Sequence, residues 1–170
     1  MVATAITAMV GSLLIAALTM VTRVDRFTQQ DSEALGELRT AMERFQKELR
    51  QARKIYCGCP EDDTNVPPST ASTIHFWVDY NRDNQQDDVE QLIWQFQTAS
   101  SGTMRLVRTS EAGGTRIQAV NLVSGSSFTY APTPPDTTLV TLTLRADVSS
   151  GSQPSARSIR TQVRLRNATA

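Results

Sequence analysis

Between residues 79 and 90 the chain reads DYNRDNQQDDVE, the stretch whose residue types and spacing come nearest to a recognisable chemistry. Asp79, Asn81 and Asp83 occupy its first, third and fifth places, Asp87 its ninth and Glu90 its twelfth. Oxygen ligands at that spacing are how a calcium loop surrounds a hard cation. Two features depart from the pattern. Its sixth place holds Asn84 where glycine is wanted, and the flanks alternate like strands where a helix-loop-helix unit needs helices. An Asp- and Asn-rich hairpin loop explains the composition equally well, because both residues favour turns. If an ion binds, Asp79, Asn81, Asp83 and Asp87 are the expected ligands, and Glu90, at the start of a strand, is aimed less predictably. No cofactor is required; Ca2+ is the one the residues suggest.

Elsewhere the chemistry is sparse. Cys57 and Cys59 are the chain's two cysteines. A bond between them would close a small, strained ring, so they read either as a local disulfide or as two thiols. CGC lacks the spacing of a CxxC redox motif, and the single histidine, His75, leaves too few ligands for zinc. His75 stands at an alternating position next to Phe76 with no identifiable partner, which favours a surface strand residue over a general base. Trp77 and Trp94 fit pairing within a sheet better than a stacking platform for nucleic acid. Arg160, Arg164 and Arg166 make a basic stripe that reads first as a solvated face. No enzyme and no small-molecule substrate is expected.

With 17 basic and 17 acidic residues the formal net charge is zero, and no broad attraction to nucleic acid or anionic lipid follows. The 170 residues suffice for one domain once a long N-terminal helix is set aside. Residues 1–22 carry no charged side chain. As a helix they would extend about 33 Å, the thickness of a bilayer's hydrocarbon core, and are expected to span it. Thr4, Ala8, Ser12 and Ala16 recur every four residues as a ridge of small side chains, the kind that lets helices approach closely.

Residues 23–56 turn polar but keep the helical period. Leu35, Leu38, Met42, Phe45, Leu49, Ala52 and Tyr56 form one apolar stripe, with Glu37, Arg39, Glu43, Arg44, Lys47, Glu48, Arg50 and Arg53 on the solvated side. The helix is expected to persist to about Ile55 and stop at Gly58 and Pro60. So short a stripe favours packing on the chain's own domain over a coiled coil.

Residues 57–170 change to period two. Ile74, Phe76 and Val78 alternate with polar or exposed positions, as do Leu92, Trp94 and Phe96, then Val140, Leu142 and Leu144, then Ile159, Val163 and Leu165. Met104 to Val107, Arg116 to Val123 and Ser127 to Tyr130 are shorter candidates. Connections are too short for crossover helices, so the sheet should be mainly antiparallel. The predicted class is therefore α+β: a long N-terminal helix, half membrane-spanning and half amphipathic, packed on a β-rich head.

Taken together, MVATAITAMVGSLLIAAL, then LRTAMERFQKELRQARKI, then strands and a terminal VRLRN resemble the type IV pilin-like superfamily. The likeness is greatest to minor pilins of the PilW type and pseudopilins of the J type. It covers the whole layout, with its specific part in residues 1 to about 55. It implies a structural subunit that assembles through its N-terminal helix into a type IV pilus or a type II secretion pseudopilus, at the tip or in initiation. Its partners would be other pilin or pseudopilin subunits, with membrane lipid before assembly. Its place would be the inner membrane, single-pass, with an extracytoplasmic head. The basic leader, the Gly before the processing site, the first Phe and the nearby Glu have no counterpart here, and a missing start is the expected reason. The contrasting expectation is a signal-anchored extracytoplasmic binding domain, calcium-dependent or not, that never enters a filament.

Overall fold

The computed structural model describes residues 2–58, 67–83, 85, 87, 90–100, 102–110, 113–134, 136–147 and 156–165, the side chains of residues 2–8, Phe27 and Gln30 excepted. One helix, α1 (Val2–Leu49), is followed by eight strands: β1 (Ala52–Ile55), β2 (Thr73–Val78), β3 (Gln91–Thr98), β4 (Met104–Ser110), β5 (Gly114–Leu122), β6 (Ser127–Ala131), β7 (Leu139–Asp147) and β8 (Ala156–Arg164). All strand pairings are antiparallel. This is an α+β chain.

The strands run β1-β2-β3-β4-β5-β7-β6, with β8 on the other side of β7. β5 meets β7 through Leu122 and Ala146, while β6 pairs with the opposite end of β7, so β5 and β6 follow one another along the same edge. Between them Gly125 turns at φ +94°, and a Cβ there would come within 2.8 Å of the Arg145 guanidinium. The sheet then curls back on itself. Phe128 N donates to Ala71 O at 2.9 Å, and the Tyr130 hydroxyl donates to the carbonyls of Thr70 and Thr73.

The concave face carries Ile74, Phe76, Val78, Leu92, Trp94, Phe96, Leu106, Ala119, Leu122, Phe128, Val140, Leu142, Leu144 and Val163, nearly all at alternate positions, as a sheet with one buried face requires. Into that trough lies the last third of α1, through Leu38, Ala41, Met42, Phe45 and Leu49. Phe45 is fully buried, its ring edge-on to Trp94 at 5.4 Å and 5.7 Å from Phe128. Polar ties fix the helix further: Gln46 donates to Thr161, Arg44 to Gln118, and Arg157 to Asp31.

Two expectations about the helix are corrected. Among the described residues no helix is long and apolar enough to cross a membrane. Arg23, Asp25 and Arg26 follow Thr22 at once in the same helix. The membrane-spanning half of the predicted fold class is therefore set aside.

The helix also ends at Leu49, short of Ile55. Arg50 and Gln51 turn back on Gln46 and Glu48, and the chain continues as β1, paired with β2. A register irregularity between Ala52 and Lys54 lets Ala52 and Ile55 both point inward although three residues apart. Ala52 lies three residues after Leu49 and both are buried, which is why Ala52 read as part of the helical stripe.

Candidate functional site

Two features stand out: the loop joining β2 to β3, and the uncovered N-terminal part of α1.

In the loop, Glu90 sits in the single turn before β3 and reaches back under β2's end. Its Oε1 accepts from the backbone N–H groups of Tyr80 (2.8 Å) and Asn81 (3.2 Å), and its Oε2 from Trp77 Nε1 (3.0 Å). The Trp77 hydrogen bond, aided by these backbone donors, holds the carboxyl below the ordinary range for glutamate. Asp83 is fixed by its neighbours, accepting from Asn81 Nδ2 at 2.9 Å and from Gln85 N at 2.7 Å, while its own N–H donates to Asn81 Oδ1. Arg82, between them, takes φ +64°, a left-handed conformation unusual for a long side chain. Asp79 is wholly buried at its side chain, with Oδ2 paired to Arg53 of β1 at 3.2 Å.

One carboxylate oxygen each from Asp79, Asp83 and Glu90 lies within 4.8 Å of the others. The structure thus joins two of the four expected ligands with Glu90, which fitted the spacing at the twelfth place but was discounted because a strand aims it less predictably. Asn81 braces Asp83 instead, and Asp87 is exposed and contributes its carbonyl to the Glu90 N–H. Asn84, at the sixth place, lies outside the described residues.

Beside this loop a cavity of about 470 Å³ opens between α1 and the sheet, lined by Arg44, Tyr80, Glu90, Arg108 and Arg116 among others. Its floor is a buried ion pair absent from the sequence reading. Glu48, placed there on the solvated face, is buried and accepts from Arg108 Nε at 2.8 and 3.0 Å, from Trp94 Nε1 at 2.9 Å and from Arg44 Nε at 3.3 Å. Arg108 also donates to Ser110 Oγ, which accepts from Gly113 N. The Tyr80 hydroxyl's pKa is raised, chiefly by burial and then by the Glu48 charge, against an opposing pull from Arg108. A signal for this pair was present: Leu106 faces inward, so Arg108 and Ser110 at the next alternate positions must face inward too, and a buried guanidinium needs a carboxylate.

His75 is buried rather than on the surface, its ring 4.5 Å from that of Tyr56. Cys57 is disulfide-bonded; Cys59 lies outside the described residues. Gly58 beside it takes φ +70° with Pro68 so close that a Cβ would meet it at 2.6 Å. Arg160 and Arg164 are exposed on β8, and Arg166 lies outside the described residues.

The uncovered part of α1 is apolar all round. Met9, Val10, Leu13, Leu14, Ile15, Leu18, Met20, Val21 and Val24 are each more than half exposed. The hydroxyls of Ser12, Thr19 and Thr22 bond back to the carbonyls of Met9, Ala16 and Thr19, so they seek no outside partner. Of the small-residue ridge, Ser12 and Ala16 are exposed, and the side chains of Thr4 and Ala8 lie outside the described residues. The packing residues divide by depth: Leu38, Met42, Phe45, Leu49 and Ala52 are buried, and Leu35 is half-buried where the helix enters the trough.

No family model matches the chain, nor does any curated protein or solved structure.

Proposed function

We propose that this chain is a structural subunit of the minor pilin or pseudopilin kind, which assembles with other such subunits through the N-terminal part of α1. One observation carries the reading: a helix apolar on every side leaves the head uncovered. Helices of that kind are covered in their working state, and an exposed apolar surface of this extent marks an interaction site. Satisfied hydroxyls and small side chains at Ser12 and Ala16 suit neighbours that are helices, since backbones then approach closely. The head supplies the fixed end, with α1 clamped in the sheet from Leu38 onward, so a load on the helix passes into the core. The disulfide at Cys57 is consistent with a head in an oxidising, extracytoplasmic compartment. Filament type, pilus or secretion pseudopilus, and a position at the tip or in initiation follow from the resemblance.

Ala16→Phe is the direct variant. A bulky ring on the ridge should abolish co-assembly with partner subunits, read by co-purification of the filament, while the melting temperature of the head stays within a degree or so because Ala16 touches no part of it. Unchanged assembly with this variant would remove the ridge from the account.

A further inference from the structure

We propose that the β2–β3 loop is a calcium site formed by the carboxylates of Asp79, Asp83 and Glu90. This inference stands apart from the filament reading and does not rest on it.

Three oxygens within 4.8 Å of one another match the span of ligands around one calcium, whose bonds of about 2.3 to 2.6 Å place opposite oxygens about 4.6 to 5.2 Å apart. Proximity of acidic groups alone would mean little. The deciding observation is Asp79: its side chain is fully buried, Oδ2 is held by Arg53, and Oδ1 accepts no hydrogen bond from any described residue. A buried carboxylate oxygen left empty beside two further carboxylates is an acceptor waiting for a cation. Arg53, which is partly exposed, pairs with Asp79 in this cluster and with only one of its two oxygens.

The other two ligands are held in place. Asp83 is gripped at both oxygens by Asn81 and Gln85, and Glu90 by Trp77, Tyr80 and Asn81. Glu90 Oε2 and both Asp83 oxygens accept one hydrogen bond each and keep a second lone pair for a metal, whereas Glu90 Oε1 already accepts two. The donor set is entirely oxygen, which selects a hard cation over zinc or copper. Three carboxylates fill half of a six-coordinate shell, and water completes it. The bound ion would lock the β2–β3 loop to β1 through Asp79 and Arg53.

The test uses the full chain, stripped with a chelator and titrated with calcium by calorimetry and by thermal melting. One site is expected, with a melting temperature that rises with calcium. Asp83→Asn, at an exposed position, should weaken binding at least tenfold while leaving the metal-free melting temperature unchanged. Terbium should bind and luminesce through Trp77, whose indole donates to Glu90; calcium should quench that emission and Trp77→Phe should remove it. No heat and no shift at millimolar calcium would overturn the proposal. So would an Asp83→Asn chain that binds like the parent, or an equal response to magnesium.

Discussion

Arg108→Met is expected to destabilise the head by about 3 to 5 kcal/mol, because it leaves the Glu48 carboxylate buried without its principal countercharge. Both side chains are about nine-tenths buried, so solvent does not screen the loss. Arg44 does not compensate: its contact is longer and its side chain is substantially exposed. Against a typical domain stability of about 5 to 15 kcal/mol, the variant sits close to unfolding at physiological temperature. Replacing both partners, as Glu48→Leu with Arg108→Met, should recover much of the loss, since an apolar pair of similar volume removes the stranded charge. Full recovery is not expected, because Trp94 Nε1 would lose its acceptor. Urea denaturation of the two single variants and the double measures the coupling. Additive losses would show that Glu48 and Arg108 do not act as a pair.

Phe45→Ala comes next, at about 3 to 5 kcal/mol. Phe45 has no exposed surface and is the point where the helix touches both arms of the curled sheet, Trp94 of β3 and Phe128 of β6. Those arms are joined directly by few hydrogen bonds, so the ring also holds the curl closed. Phe45→Leu, which keeps most of the volume, should cost much less. A fall in denaturation midpoint with an unchanged slope is the expected signature. A loss below about 1 kcal/mol for the alanine variant would mean that the helix is not the central wall of the core.

Much of this was legible beforehand because it rests on one-dimensional period. Val140, Leu142 and Leu144 against Val163 read as a pair of one-faced strands, and the structure pairs Val140 with Val163. Leu38, Met42, Phe45 and Leu49 read as a buried stripe and are one. What failed depended on information that period does not carry. Ala52 kept the helical spacing from Leu49 across the turn at Arg50 and Gln51, so nothing in the residue types distinguished the two elements. Glu48 lies beside Leu49 and looked solvated because its partners, Trp94 and Arg108, are distant in the chain and meet it only when the sheet curls. In the acidic loop, spacing brought forward Asp79, Asp83 and Glu90 alike, but the strand flank argued against Glu90, which the hairpin returns beneath Tyr80 and Asn81. The membrane-spanning half rested on residues 1–22 being uncharged. Among the described residues no helix is long and apolar enough to cross a membrane, and an uncharged run interrupted by Gly11, Ser12 and Thr19 is not by itself a span.

The account's central claim is that the apolar part of α1 is an interface for other helices. A photoreactive residue at Leu14, exposed and remote from the head, tests it in cells producing the full chain. Adducts that map to the N-terminal apolar helix of another filament subunit are the expected result. Adducts confined to this chain's own sheet, or none to any helix while the head remains folded, would contradict it.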